Sequence, residues 1–204
     1  MIAVIDYQAG NAPSVMHAIR RLGHAAILAR RPEDLAKATR IILPGVGSAK
    51  ATMDSLKAMD ITDPLENAVM RKTVPFLGIC VGMQILFNHS EEGNARCLGW
   101  LGGRVVKFDA SRVRVPQMGW NQVRFSRDAL GTGLEGYFYF VNSYHARPDD
   151  ESDIWGVADY GGSFAAAARR GNIFATQFHV EKSGEAGLAL LDAFLSRAGG
   201  VAPC

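Results

Sequence analysis

Gly78-Ile79-Cys80-Val81-Gly82 is the stretch of this 204-residue chain best suited to covalent chemistry. An apolar, strand-like run at 74–77 leads into it, and an apolar segment at 81–87 follows. The spacing is that of a nucleophile elbow with cysteine in place of serine. A sharp strand-to-helix turn holds such a side chain in a strained backbone conformation, and glycines two residues either side relieve the crowding. Backbone N–H groups at the helix start stabilise a thiolate and, later, an oxyanion. An isolated cysteine is more often an inert core residue. Here the flanking glycines and the strand–helix setting favour the nucleophile.

A thiol nucleophile needs a base, and the five histidines are His17, His24, His89, His145 and His179. His17 and His24 lie on or just after a first amphipathic helix, and His89 follows the elbow segment too closely. His179 ends a strand-like run at 172–178, and Glu181 comes two residues later. On an extended chain residues two apart point the same way, so this carboxylate can orient the imidazole. A strand-end histidine beside a solvent-facing glutamate is the ordinary alternative. Cys80–His179–Glu181 is the best triad the sequence offers.

Pro44-Gly45-Val46-Gly47 follows another strand-like run, at 40–43. It is no phosphate loop, because Lys50 has neither a preceding glycine nor a following Ser or Thr. Its backbone amides, at Val46 and Gly47, can instead serve a tetrahedral oxyanion together with the N–H of Val81. Gly131-Thr132-Gly133-Leu134-Glu135-Gly136 matches a dinucleotide fingerprint by letters, but it precedes a β-like run and opens no helix. No cofactor is expected.

These groups need elements to position them. Strand-like runs at 2–5, 25–29, 40–43 and 74–78 alternate with helical patterns at 14–22, 32–38, 48–59 and 63–72. That alternation predicts an α/β fold: a central, mostly parallel sheet flanked by helices, with ligands beyond the strands' C-terminal ends. From Gly99 onward β-like runs dominate, at 103–108, 122–125, 137–141, 154–159 and 172–178, predicting extra antiparallel strands in the second half. Residues 163–169 are open: the alanines favour helix, while Arg170-Gly171-Asn172 before a strand suggests a hairpin. A helix at 185–197 ends the pattern, and residues 1–204 read as a single domain.

Lys plus Arg total 22 against 20 for Asp plus Glu, a net charge of +2, with no basic cluster interleaved with aromatics. Nucleic acid is therefore not an expected partner. The three cysteines, Cys80, Cys97 and Cys204, give neither a disulfide framework nor a metal-ligand spacing. No apolar run is long enough for a membrane span or signal peptide, so a reducing, cytoplasmic location is expected.

Two further segments, Asp6-Tyr7-Gln8-Ala9-Gly10-Asn11 and Val115-Pro116-Gln117-Met118-Gly119-Trp120-Asn121, join the elbow and the Gln177-Phe178-His179-Val180-Glu181-Lys182-Ser183-Gly184 run in a recognisable set. Together they resemble the class I glutamine amidotransferases, and within them the glutaminase subunits of imidazole glycerol phosphate synthases in histidine biosynthesis. The resemblance covers nearly the whole chain. It implies the flavodoxin-like amidotransferase fold and a Cys80–His179–Glu181 triad acting on L-glutamine. It also implies that Gln84, Glu92, Ser143 and Tyr144 hold that substrate, the last two partly through backbone. The implied partner is a (β/α)8-barrel cyclase subunit that receives ammonia, with Asn11, Met118, Trp120, Asn121, Tyr137, Tyr139 and Lys182 near the interface. Val180 stands where relatives carry proline, Gln8 replaces a glycine, Gln117 a histidine, and Ser48-Ala49 an aromatic-containing continuation.

Other readings are a peptidase or thioesterase on the same elbow, and an inactive supporting subunit. A paralogue feeding ammonia to a different barrel synthase is a further one. Gln84 and Gly119-Trp120-Asn121 have no role in the first, and an intact triad argues against the second.

Overall fold

The computed structural model describes residues 1–8, 11–126, 130 and 135–196. The Gly131-Thr132-Gly133-Leu134 letters, Ala9, Gly10, Arg197 and Cys204 lie outside them.

Four parallel pairings build the first half of the sheet. Strands β1 (Ile2–Ile5), β2 (Ala26–Ala29), β3 (Arg40–Gly45), β4 (Phe76–Cys80) and β13 (Ile173–Thr176) run in the order β2-β1-β3-β4-β13. They are near-continuous apolar runs, as strands covered on both faces require, and β1 and β4 are buried along their whole length. Helices α1 (Ala12–Arg21), α2 (Ala49–Ala58) and α3 (Thr62–Glu66) connect them, and α5 (Gly184–Ser196) follows β13. No helix of the described residues is long and apolar enough to cross a membrane.

Beyond β13 the sheet turns antiparallel, apart from the parallel pairing of β5 with β7. It continues through β12 (Ser163–Arg170), β10 (Tyr144–Pro148) and β7 (Gly103–Lys107), then the short β5 (His89–Ser90) and β6 (Ala95–Arg96). A branch leaves β12 through β11 (Ile154–Asp159) to the hairpin β8 (Gln117–Phe125) and β9 (Gly136–Asn142).

Several boundaries differ from the sequence reading. The open segment 163–169 is strand: Ala166, Ala167 and Ala168 are 0% exposed in the middle of the sheet, so packing overrides alanine's helix propensity. Residues 32–38 form only a 3-10 turn, Pro32–Leu35, because the Asp34 carboxylate takes the N–H groups of Arg30 and Arg31. The predicted helix at 63–72 is α3 followed by a π turn, Asn67–Arg71. The segment after the elbow is helical for only four residues, α4 (Val81–Gln84), and Ile85, Leu86 and Phe87 continue as fully buried irregular chain. Strand β10 carried no signal in the sequence reading.

Candidate active site

Parallel pairing sets the site. Strands β3, β4 and β13 end side by side, with Gly45 opposite Cys80 and Thr176 opposite Ile79. Ligand sites of open α/β sheets lie at such C-terminal ends. Cys80, the last residue of β4, caps α4 with φ +56° and ψ −109°, a conformation that costs a non-glycine residue on the order of 1–3 kcal/mol. Its neighbours explain the glycines. A Cβ on Gly78 would stand 2.5 Å from the Gly82 carbonyl oxygen, and one on Gly82 2.0 Å from that of Leu43. One on Gly45 would stand 2.6 Å from the Gly82 nitrogen. The elbow therefore sits directly against the end of β3.

His179 follows β13 and is 3% exposed. Its Nδ1 lies 2.8 Å from Glu181 Oε1, and the Cys80 sulfur stands beside the ring in the same cavity. The sequence argument expected this carboxylate to reach the ring along an extended strand. The strand instead stops at Thr176, and Val180–Lys182 is a 3-10 turn that swings Glu181 under the imidazole. The contact is as expected; its geometric reason is different. Burial disfavours the charged imidazole, but the hydrogen bonds and negative charges of Cys80 and Glu181 outweigh it and push the His179 pKa up to about 10. Burial acts to raise the Glu181 pKa, yet its hydrogen bond and attraction to His179, with the Asn11 amide, hold it below the ordinary carboxylate range. The arrangement favours the charged imidazolium at His179.

Three groups of contacts around this trio were not legible in the chain. Asn11 Nδ2 donates to Glu181 Oε1 at 2.7 Å across 170 residues of sequence. Gln177 Nε2 approaches Cys80 Sγ at 3.7 Å, and its own Oε1 accepts from Gln84 Nε2 at 3.0 Å. The His179 backbone N–H donates to the Tyr139 carbonyl, while the Ser183 hydroxyl donates to His179 O and accepts from Tyr139 N–H. The histidine is thereby stitched to β9. Only the strand-end position of Gln177, two residues before His179, hinted at any of this.

A cavity of about 300 Å³ opens above Cys80. Val46, Gly47 and Val81 line it, as do Gln84, Glu92, Ser143 and Tyr144. The second Gln84 N–H donates to the Tyr144 carbonyl at 3.1 Å, fixing the start of β10 against the elbow helix. Glu92 accepts from the Ala49 N–H at 3.0 Å, and burial pushes its pKa up. Asn142 and Pro116 line the same cavity and were not singled out from sequence. Tyr7, also unassigned, is 4% exposed, accepts from the Thr52 hydroxyl at 3.4 Å and hydrogen-bonds the Val46 backbone; burial pushes its phenol pKa up.

Of the residues expected near a partner, Met118, Trp120 and Tyr137 are 66%, 56% and 60% exposed. Pairing puts Trp120 opposite Tyr139, with ring centroids 6.0 Å apart, so these side chains share one face of the β8–β9 hairpin. Phe138 and Phe140, between them, turn into the core. Lys182 lines the cavity beside His179. Asn121 and Asn11 do not join the exposed face: Asn121 donates to Asp159 O at 2.8 Å, and Asn11 holds Glu181.

The chain matches the Glutamine amidotransferase class-I family over residues 3–198. It is 43% identical over 203 residues to "Imidazole glycerol phosphate synthase subunit HisH" of Leptospira interrogans, covering 96% of this chain and 100% of that one. The subunit of the same name from Geobacillus thermodenitrificans is 44% identical over 203 residues, with 96% and 95% covered. Methanococcus maripaludis "HisH 2" is 41% identical over 202 residues, with 97% and 100% covered. A crystal structure of a glutamine amidotransferase superposes with TM-score 0.76 at 22% identity, over 95% of this chain and 96% of that one. PurLQS from Thermotoga maritima gives 0.75 at 20%, again over 95% and 96%; these two similarities speak to the fold alone. With a family match along nearly its whole length and HisH relatives above 40% identity, this chain belongs to the class I glutamine amidotransferase family, in its HisH branch.

Proposed function

We propose that this chain is the glutaminase subunit of an imidazole glycerol phosphate synthase, one domain that hydrolyses L-glutamine and passes the ammonia to a (β/α)8-barrel cyclase subunit. The observation that carries the reading is that Cys80 and His179, the latter hydrogen-bonded to Glu181, share a cavity lined by Gln84, Glu92, Ser143 and Tyr144.

The Cys80 thiolate attacks the side-chain amide carbon of glutamine, and the carbonyl electron pair moves onto oxygen. Backbone amides of the Val46–Gly47 turn and of Val81 receive that oxyanion. Collapse breaks the C–N bond as the His179 imidazolium gives its proton to the leaving nitrogen, so ammonia departs and a γ-glutamyl thioester remains. Neutral His179 then takes a proton from water, hydroxide adds to the thioester, and glutamate leaves as the thiolate reforms. Glu181 keeps the ring oriented throughout and stabilises its charged form. Glu92, as a carboxylate in the cavity wall, suits the substrate's ammonium. The exposed aromatic face of β8–β9 is where the cyclase subunit docks, and its link through Tyr139 to the His179 backbone gives docking a route to the triad.

In the complex with a cyclase subunit, His179→Ala should abolish glutamine-driven synthesis while ammonia-driven synthesis continues. Equal loss of both would make His179 a structural residue. Glutamine turnover of the purified chain should rise by about two orders of magnitude or more when the cyclase subunit and its nucleotide ligand are added. An isolated chain already at full activity, indifferent to any barrel partner, would remove the named synthase from consideration.

A further inference from the structure

A larger cavity, about 380 Å³, lies on the other side of β10 from Cys80. Side chains alternate along a strand, so Tyr144 faces the catalytic cavity while His145, the next residue, faces this one. Its floor is aromatic. The His145 ring stacks on Phe108 with centroids 4.6 Å apart, and Phe164 meets both rings edge-on. Tyr160 closes one side, its ring 5.3 Å from Phe108 and its hydroxyl donating to the Arg114 carbonyl at 2.7 Å.

His145 is 8% exposed, and burial lowers its pKa, so the ring is held neutral. Its Nδ1 lies 3.3 Å from the neighbouring Ala146 carbonyl, which assigns the proton to Nδ1. Nε2 is then a bare acceptor, and it has no protein partner among the described residues. The charges at the mouth are unequal. Lys107, Arg112 and Arg147 line it, and none forms an ion pair among the described residues. Two carboxylates, Asp109 and Glu151, stand there against the three cations; Asp109 Oδ1 accepts from the Ser111 N–H and hydroxyl at 2.9 and 2.6 Å.

We propose that this cavity is a second ligand site, taking a small organic anion built on a flat ring. The ring lies against Phe108, Phe164 and Tyr160, a donor group on it meets His145 Nε2, and the acidic group meets Arg112 and Arg147. An aromatic floor rewards a flat apolar body, while guanidinium groups match a carboxylate or phosphate in two-point contacts. The volume falls in the range of small-molecule sites. The site is independent of the chemistry at Cys80 and stands or falls separately from it.

The test is an amide NMR titration of the intact chain with 4-hydroxyphenyl phosphate, 4-hydroxybenzoate, phenol and inorganic phosphate. At least one ring-bearing acid should saturate, moving the Phe108, His145 and Ser163 signals. It should bind about tenfold or more tightly than phenol or phosphate alone, because each of those supplies only half of the contacts. Arg147→Glu should weaken the acidic probes by about tenfold and leave phenol unchanged, with glutamine turnover reporting that the variant is folded. No saturable shift up to tens of millimolar, or shifts centred on Trp120, or affinity untouched by Arg147→Glu and Arg112→Glu together, would overturn the proposal.

Discussion

At Gly45, Gly78 and Gly82 an added methyl would stand within 2.6, 2.5 and 2.0 Å of backbone atoms; at Gly47, two residues beyond Gly45, it would meet nothing within 4 Å. The first three glycines exist for contact, letting the elbow press onto the end of β3. Gly47 exists for conformation, at φ +88°. The nucleophile is thus fixed by packing, whereas the turn beside it is held by its own backbone preference and by few neighbours. A site can be built this way when the attacking atom must be ready at all times and the oxyanion donors are to be adjusted from outside.

That contrast can be broken by substitution. Gly82→Ala carries the largest expected effect: its methyl collides with the Leu43 carbonyl, so stability should fall by roughly 3 kcal/mol or more, to the edge of folding. Urea denaturation measures it, and a loss below about 0.5 kcal/mol would mean the elbow is not close-packed. Gly47→Ala should behave differently. There is room for the methyl, and the positive φ costs roughly 1–2 kcal/mol. Glutamine turnover should nevertheless drop tenfold or more as the turn is biased away from its present conformation. Unchanged turnover would detach this turn from the reaction.

The triad sharpens the same comparison through pH. A His179 pKa of about 10 lies above the ordinary 6.5, so its contribution to stability is complete below about 6.5 and fades as pH rises through 10. The alkaline limb of kcat/KM should fall near that upper value, where the proton for departing ammonia is lost. Glu181→Gln removes one of the two negative partners and should move the limb to lower pH. A limb near 6.5 in the native chain would contradict an imidazolium stabilised by its neighbours.

Trp120→Ala, on the exposed hairpin face, should do least. Stability should stay within about 0.5 kcal/mol and the isolated chain's turnover should not change. Stimulation by a cyclase subunit should be reduced. A destabilised isolated chain would mark Trp120 as a packing residue.

The sequence carried the parallel half of the sheet well, because strands buried on both faces leave continuous apolar runs such as Ile2-Ala3-Val4-Ile5. It carried Cys80 for the same reason, since an elbow needs glycines at fixed offsets. It was silent where burial and polarity mix. Tyr144-His145-Ala146-Arg147-Pro148 has charge, aromatics and proline in five residues, yet it is a strand with a cavity on each side. The alanines of β12 read equally as helix until their place in mid-sheet is known. Asn11 and Gln177 were beyond reach for another reason: their contacts join residues 170 and 97 positions apart, and only the strand order brings them together. Glu181 was found through a pleat argument, although a 3-10 turn makes the contact.

Acylation of Cys80 by glutamine is checked by quenching the chain in acid during glutamine turnover and mapping its peptides by mass. A γ-glutamyl group is expected on the peptide containing Cys80, absent from those containing Cys97 and Cys204, and absent altogether after His179→Ala. Burial pushes the Cys97 thiol up to about 11, which keeps it protonated and unreactive under the same conditions. An acyl group on Cys97, or full turnover by Cys80→Ala, would contradict the account.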